Sequence, residues 1–193
     1  PEYCRNTGSV PSSPGEKLSL YAADCAKITG DNISLENSSD HEGGKIIRWV
    51  SSEKDSSVLW RFNVSKGARY RLKISYCALE SSSSISLGLK INGEYPFTAC
   101  QDVGLYKIWK NETDDFVVDS AGNEKRPAAV QVIKWQGAFL SDSEGVSNEP
   151  YEFAFFEGEN TIELIGISTD LLISSITLEG EEEPESYESY SAA

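Results

Sequence analysis

The sequence predicts an all-β protein that folds as a sandwich of two sheets. Three consecutive runs between Ser56 and Ile91 alternate apolar and polar residues with a period of two, which is the pattern of half-buried antiparallel strands. The inward positions of these runs are rich in β-branched and aromatic residues, which fit a pleated surface. About ten short strands, with turn residues between them, can be assigned along the chain, and no helix of normal length is visible. Because one three-strand meander cannot bury its apolar face alone, a second sheet must cover it.

The part of the chain before this meander predicts an irregular start followed by short strands. Residues 1–16 are polar and contain Pro, Gly and Ser, so we interpret them as a lead-in to the folded domain. Lys17–Ile28 carries Leu and Ala residues that predict the opening strands. The segment Asp31–Gly44 is dense in Asn, Asp, Ser and Gly, which favours a loop, and Lys45–Val50 predicts one more short strand.

The meander itself supplies most of the predicted core. Its runs cover residues 58–64, 70–76 and 85–91, and the turn Ser65-Lys66-Gly67 joins the first two. A later run, Thr161–Ile167, has the same alternation, and we expect its apolar face to join the same core. The predicted core residues are Trp60, Phe62, Tyr70, Leu72, Ile74, Leu87, Leu89, Ile162 and Leu164.

The longest interruption of the strand pattern lies between Cys100 and Glu149. Before it, Asn92-Gly93 is the strongest hairpin signal in the chain, and it predicts a hairpin that joins residues 87–91 to residues 95–99. The interruption contains several aromatic residues among many Asp, Asn, Gly and Ser. A long, turn-rich insertion in a compact sandwich is usually where function lies. Regular strands resume at Tyr151 and continue to Leu178.

The charge of the chain excludes two classes of partner. The net charge is −14 and the isoelectric point is about 4.5, so the surface repels nucleic acid and anionic lipid, which bind clustered Lys and Arg. No apolar run is long enough to cross a bilayer, so we expect no direct membrane insertion. Six Glu between Glu179 and Glu188 lie in a tail that also holds Pro and Ser, and we interpret residues 181–193 as an acidic linker.

The four cysteines do not predict a metal or redox site. Cys4, Cys25, Cys77 and Cys100 show no C-x-x-C spacing, which argues against a zinc site and against a thioredoxin-like motif. An even count permits disulfides, but a chain of 193 residues does not need them. We interpret the cysteines as free thiols, with Cys77 buried because it continues a strand.

Candidate catalytic residues are also sparse, and we expect no enzyme. The single histidine, His41, lies in a polar stretch between Asp40 and Glu42, where a solvated side chain is expected. No G-x-S-x-G nucleophile motif is present for a Ser-His-Asp triad. Paired carboxylates occur, but an acidic surface produces such pairs by chance, and a glycosidase needs two carboxyls at a fixed separation in a cleft.

Four sequence stretches resemble the β-sandwich carbohydrate-binding modules of families 6 and 35. They are LWRFNVSKGARYRLKISY, LKINGEYPF, FEGENTIELIG and LLISSITLEG. Together they place the resemblance over residues 17–180. It implies a sandwich of jelly-roll type with a long loop insertion, and a non-catalytic domain that binds an oligo- or polysaccharide.

A narrower resemblance concerns the protein that would carry such a module. Several shorter motifs are similar to a module attached to extracellular solute-binding proteins of bacterial carbohydrate ABC importers. They are GEYPF, YKIWKNE, VIKW, SDSEG and ESYESY. This resemblance implies an extracellular location at a bacterial cell surface, and a further domain of the same polypeptide downstream of residues 181–193.

One feature of the family is missing from this sequence. In those modules the first strand carries a Tyr-Glu-Ala-Glu run, whose glutamates bind a structural calcium together with an aspartate in the last strand. The corresponding residues here are Leu20-Tyr21-Ala22-Ala23, and Ser174 stands near the aspartate position. Calcium needs six or more oxygen ligands, several of them charged. We therefore expect no bound metal and no other cofactor.

The aromatic residues give the candidate binding site. A sugar has apolar C–H faces and a rim of hydroxyls, so its site needs exposed aromatic rings beside polar side chains. Trp60 is in phase with the core run, and Trp49 also favours the core. Trp109 and Trp135 lie in the irregular insertion, and they are the candidate stacking residues. The alternative is that both rings pin the insertion to the sandwich.

Polar partners for these rings are close in sequence. Tyr106, Asp119 and Arg126 are the candidates, although Arg126 has the alternative role of binding carbonyls within the insertion. A competing function also remains open at this point. The domain would then be a structural spacer or docking domain, whose aromatic residues pack against the rest of its parent protein without binding sugar.

Overall fold

A computed structural model describes residues 17–51, 55–81, 83–142 and 149–180. Nearly all regular structure in these residues is strand, and two short 3₁₀ turns lie at Ala22–Asp24 and Thr98–Gln101. No helix in the described part of the chain has the length and apolar character needed to cross a membrane. The strands are β1 (Leu18–Tyr21), β2 (Cys25–Thr29), β3 (Ile33–Asn37), β4 (Lys45–Trp49), β5 (Ser57–Val64), β6 (Ala68–Ala78), β7 (Ile85–Ile91), β8 (Val103–Leu105), β9 (Ile108–Asn111), β10 (Val117–Val118), β11 (Glu124–Lys125), β12 (Ala129–Val132), β13 (Trp135–Phe139), β14 (Glu152–Phe155), β15 (Gly158–Ser168) and β16 (Leu171–Gly180).

Two antiparallel sheets form the sandwich. The larger has seven strands in the order β13-β6-β16-β4-β3, with β1 also paired to β16 and β14 also paired to β6. The smaller has five strands in the order β2-β5-β15-β7-β8. One continuous apolar core takes residues from both sheets, so each sheet covers the face that the other cannot bury alone. The predicted all-β sandwich is confirmed.

The core follows the alternation in the sequence. All nine predicted core residues are buried, and Trp49 is buried with them. The indole N–H groups of the two core tryptophans both find acceptors: Trp60 donates to the Tyr21 carbonyl at 2.9 Å, and Trp49 donates to Ser56 Oγ at 3.0 Å. Because a buried N–H without a partner is costly, these bonds allow large rings to fill the core.

A β-bulge explains the one place where the last strand breaks its alternation. Ile173 and Ile176 are both buried although three positions separate them. The register of β16 against β6 shifts between Ile173 and Ser175, which leaves Ser174 as an extra residue. The bulge resets the phase of the strand, so that apolar side chains before and after it face the same core.

Two local predictions were wrong. Residues 33–37, expected in a loop, form the edge strand β3, which pairs with β4 along its whole length. Its inward residues, Ile33 and Leu35, are half-buried, and turn-forming residues flank the strand on both sides, so its alternation is too short to stand out in the sequence. Residues 95–99, expected as a strand, lead instead into the second 3₁₀ turn. There Phe97 packs its ring against Tyr151 and Phe153, at centroid distances of 4.9 and 5.8 Å.

The insertion between Cys100 and Glu149 is only partly outside the sandwich. Its strand β8 joins the five-stranded sheet, and β13 joins the seven-stranded sheet. Between them, residues 108–132 form two nested antiparallel hairpins, in which β9 pairs with β12 and β10 pairs with β11. We call residues 108–132 the arm. The arm has its own two small sheets, and its strands pair with no strand of either large sheet.

The chain enters and leaves the described sandwich at one place. Strand β1 lies antiparallel to β16, with Leu18 opposite Leu178. Beside this pair, Lys17 Nζ lies 2.9 Å from a carboxylate oxygen of Glu179. The predicted lead-in, residues 1–16, and the predicted linker, residues 181–193, lie outside the described residues.

The described cysteines are free thiols. Cys77 is buried, as predicted, and Cys100 is buried with it, whereas Cys25 is half-buried. Burial raises the pKa of the Cys100 thiol to about 12, because the thiolate would lose its hydration. Cys4 lies outside the described residues.

Candidate functional site

Trp109 is the most exposed tryptophan among the described residues. It lies on β9, opposite Gln131 on β12, and 56% of its surface is exposed. Its indole N–H makes no hydrogen bond to any residue that the structure describes. The ring therefore offers both an apolar surface and a free donor, which is the combination that stacking on a sugar requires.

Two open grooves meet at Trp109, each with a volume of 420 Å³. We call the first the β12 groove and the second the β8 groove. The β12 groove is lined by Glu80, Ser81, Trp109, Ala129, Val130 and Gln131. The β8 groove is lined by Ser83, Ser84, Ile85, Leu105, Tyr106, Lys107 and Trp109. Volumes of about 300–1,000 Å³ are typical of small-ligand sites, so each groove has room for sugar.

The base of the arm is fixed to the sandwich by hydrogen bonds. Gln131 Nε2 donates to the carbonyls of Ala78 and Leu79, at 3.2 and 2.9 Å. Lys107 Nζ donates to the Ser81 carbonyl. These bonds join both edges of the arm to the end of β6 and the loop after it, so the groove walls have a defined spacing before any ligand binds.

Tyr106 belongs to the same site as Trp109. This residue is 59% exposed and lines the β8 groove, whereas its backbone carbonyl accepts hydrogen bonds from two side chains of the sandwich. Tyr76, in the core, donates its hydroxyl to that carbonyl at 2.7 Å, and Gln136 Nε2 donates to it at 2.8 Å. Burial raises the pKa of Tyr76 to about 12, so its hydroxyl remains a donor even above pH 10. A core side chain thus positions a surface ring.

Trp135 lies apart from this site. On β13 it is in register with Cys77, on the opposite side of the sheet from the core position of Tyr76. Its ring packs against His41 in a tilted contact, with a centroid distance of 4.1 Å and an angle of 50° between the planes. His41 also shares a hydrogen bond of 2.8 Å with the Ser38 hydroxyl. The histidine lies in a loop, as expected, but it is half-buried and not fully solvated.

The two charged candidates are not in the grooves. Asp119 closes a turn in the arm by accepting the backbone N–H groups of Ala121 and Asn123, both at 2.9 Å. The hydrogen bond from Asn123, with the others in this turn, lowers the pKa of the carboxyl. Arg126 is exposed and makes no hydrogen bond or ion pair with a described residue. The structure therefore brings together Trp109 and Tyr106, but leaves Trp135, Asp119 and Arg126 elsewhere.

Most of the polar lining was missed from the sequence. It comes from the loop after β6, which supplies Glu80, Ser81, Ser83 and Ser84. A run of serines between two strands carries no chemical signature, so only the fold shows that it faces Trp109. The signal that was available is local: Lys107 directly follows the candidate Tyr106, and a long polar side chain there suits contacts with hydroxyls.

The described residues that line the grooves include two charged side chains. Glu80 is the carboxylate of the β12 groove, and Lys107 is the ammonium of the β8 groove. Among the described lining residues Glu80 is the one carboxylate, whereas a glycosidase requires a pair of carboxyls facing one ligand. In the described part of the chain, no group of three or more His, Cys, Asp or Glu side chains could hold a metal ion. The arrangement is suited to binding a neutral polar ligand against an aromatic ring.

Comparison with known proteins defines the fold. No family model matches the chain, and no curated protein sequence matches it. Among solved structures, the chain is similar to a GH26-CBM35 β-(1,4)-mannanase from Podospora anserina, with a TM-score of 0.56 and 12% identity. That match covers 90% of this chain and 29% of the mannanase. A family 35 carbohydrate-binding module from an environmental isolate gives a TM-score of 0.50 and 12% identity, over 85% of this chain and 93% of the module. The sandwich therefore has the fold of a carbohydrate-binding module.

Proposed function

We propose that this domain binds carbohydrate and catalyses no reaction. The observation that carries the proposal is the exposed Trp109 ring between two open grooves that are lined by hydroxyl, amide and phenol groups. Stacking of the ring on a sugar face supplies apolar contact, and the surrounding polar groups bind hydroxyls. The fold adds support, because a family 35 carbohydrate-binding module shares it.

The setting of the domain is part of the same proposal. The domain acts outside the cell, at a bacterial surface, as the N-terminal part of a longer polypeptide such as an ABC-importer solute-binding protein. Residues 181–193 link it to the downstream domain. The net charge of −14 supports the exclusion of nucleic acid as a partner, because phosphate binding needs clustered cations.

Replacement of Trp109 tests the proposed site. We expect Trp109→Ala to abolish binding to an array of neutral oligosaccharides while the melting temperature stays within a few degrees of wild type, because the ring is exposed. The matched control is Phe116→Ala: Phe116 is 58% exposed on the same arm but lines neither groove. Calorimetric titration of both variants measures the effect. Equal loss in both variants, or no loss in either, would contradict the proposed site.

A docking function is the second candidate, and one observation favours it. Besides the two groove aromatics, Phe116, Val118 and Ile133 expose 51–61% of their surfaces on or next to the arm. Such apolar side chains on one projecting segment can cover a neighbouring domain. If the domain has a docking function, we expect it to bind no glycan. We also expect Phe116→Ala to weaken its association with the downstream domain in the full polypeptide. Limited proteolysis of the linker measures that association.

A further inference from the structure

Among the described residues, Trp109 is the one that lines both grooves. The loop after β6 contributes to both linings: Glu80 and Ser81 line the β12 groove, and Ser83 and Ser84 line the β8 groove. The two grooves therefore adjoin at Trp109 and along the loop after β6. Each has polar groups of its own, so each can bind a sugar residue independently of the other.

We propose that the two grooves bind one linear polysaccharide by an internal segment, with sugar residues on both sides of Trp109; this rests on the proposed function. Both grooves are open to solvent, so a chain that fills them can continue beyond either one. The central ring gives apolar contact, and the two polar linings fix the residues before and after it. Recognition then depends on chain length and not on a chain end.

The charges of the site select a neutral chain. The β12 groove holds the Glu80 carboxylate, and the ammonium of Lys107 in the β8 groove is already bound to the Ser81 carbonyl. Among the described residues that line the grooves, Lys107 is the one cation and Glu80 the one anion, so the two linings together carry no net charge. The net charge of −14 adds a repulsive field for any polyanion near the surface. The ligand class is thus an uncharged polysaccharide such as a glucan, mannan or xylan.

The loop between the grooves is held at both ends, which favours binding without rearrangement. Lys107 fixes Ser81, the Ser83 N–H donates to Ser81 Oγ at 3.1 Å, and Ser168 donates its hydroxyl to the Ser84 carbonyl. Preorganised walls reduce the entropy lost on binding, so contacts in the second groove add to affinity. A longer oligosaccharide should therefore bind more tightly until it spans both grooves.

A length series tests this. The probes are β-1,4-glucan, β-1,4-mannan and β-1,4-xylan oligosaccharides of two to six units, titrated calorimetrically, with polygalacturonate as the charged comparison. For the preferred series we expect the hexasaccharide to bind at least about tenfold more tightly than the disaccharide, a difference of about 1.4 kcal/mol, and polygalacturonate not to bind. Equal affinity at all lengths, or preference for polygalacturonate, overturns the inference and leaves the proposed function standing.

Groove-filling variants separate the two subsites. Ala129→Phe fills the β12 groove and Ser83→Phe fills the β8 groove; both positions are exposed, and Ala121→Phe at the tip of the arm is the matched control. We expect each filling variant to weaken hexasaccharide binding at least tenfold and the control to leave it unchanged. Loss in only one filling variant means a single subsite and overturns the inference alone. Absence of binding by the unmodified chain to every oligosaccharide overturns the proposed function with it.

Discussion

At the scale of single residues, Tyr76 links the core to the site. Its ring is fully buried, yet its hydroxyl bonds to the carbonyl of exposed Tyr106. A phenol is suited to this because the ring fills the core while the hydroxyl satisfies a backbone group at the surface. The sequence places Tyr76 in the core by its alternation. Its hydrogen bond to a residue 30 positions later could not be predicted, because it depends on where the insertion returns to the sheet.

The raised pKa of Tyr76 predicts how stability changes at high pH. Its ordinary value is 10.0 and its folded value is about 12, so the neutral form is favoured in the fold and the stability it contributes is lost as pH rises from 10 to 12. Cys100 acts in the same direction from its ordinary value of 9.0. We expect the free energy of unfolding to fall above pH 9, by at most about 1.4 kcal/mol per pH unit for each proton.

Urea unfolding between pH 8 and pH 11.5 measures this, with two variants that remove the groups separately. Tyr76→Phe should be less stable by about 1 kcal/mol at pH 8, because a hydrogen bond is lost, and should decline less steeply above pH 10. Cys100→Ala should decline less steeply from pH 9. An alkaline decline that is unchanged in both variants would show that other groups cause it.

Trp109 and Trp135 show the limits of sequence interpretation at this scale. Both lie in the same irregular insertion and outside any alternating core run, so the sequence gives them equal weight. The structure separates them because Trp135 meets His41, a residue 94 positions earlier that comes from the β3–β4 loop. Exposure of Trp109 depends in turn on the arm leaving the sheet at that point. Contacts between residues so far apart in the sequence depend on the topology of the fold, and the local alternation of residues does not predict them.

At the scale of elements, the turn at Asn92-Gly93 has the conformation that its sequence predicts. Asn92 has φ of 51° and Gly93 has φ of 86°, as expected for the two central residues of a tight hairpin turn. Asn92 also contacts the start of β15: its Oδ1 accepts the Thr161 N–H at 2.7 Å, and its Nδ2 donates to buried Asn160 at 3.0 Å. The turn is therefore bound to a second turn, and the two hold adjacent strands in register.

Substitution of this turn separates backbone conformation from side-chain bonding. A Cβ on Gly93 meets no atom within 4 Å, so Gly93→Ala should cost only the strain of positive φ, about 1–2 kcal/mol. Asn92→Ala loses two hydrogen bonds as well and should cost about 2–4 kcal/mol. Thermal and urea unfolding of the two variants measure the difference. A smaller effect for Asn92→Ala than for Gly93→Ala would show that the link to β15 contributes nothing.

The elements predicted well are those that cross the centre of the sandwich. Strands β5, β6, β7 and β15 bury every second residue, so their pattern is strong. The edge strand β3 was missed because it pairs with a strand on one side only and buries none of its residues completely. Residues 95–99 were assigned as a strand because the hairpin signal before them is strong, but Pro96 is buried there and the chain turns into the 3₁₀ segment instead. The alternation of apolar and polar residues is strong in a strand that has one buried face, and it is weak in a strand that is only partly buried.

At the scale of the whole molecule, we expect the sandwich to fold without a metal. The positions that would supply carboxylates hold other groups: Tyr21 donates its hydroxyl to Glu42 at 2.6 Å, and Ser174 is buried against the Ser75 carbonyl. We expect the melting temperature to be the same in millimolar calcium and in EDTA, because a ligand that binds only the folded state would raise it. A clear increase with calcium in differential scanning calorimetry would contradict this. Magnesium at the same concentration controls for ionic strength.

The pairing of β1 with β16 has a mechanical consequence. Because Leu18 lies opposite Leu178, the two ends of the described sandwich lie side by side, and tension applied between these ends acts across the two strands and not along them. Backbone hydrogen bonds in an antiparallel pair lie perpendicular to the strands, so such tension opens them one after another, as a zipper opens. In shear, the bonds would share the load and resist together. A pull on both flanks would therefore peel β1 away at low force, whereas attachment through one flank leaves the sandwich unloaded. The domain is therefore suited to attachment through one end, and it is poorly suited to carry tension between two neighbouring domains.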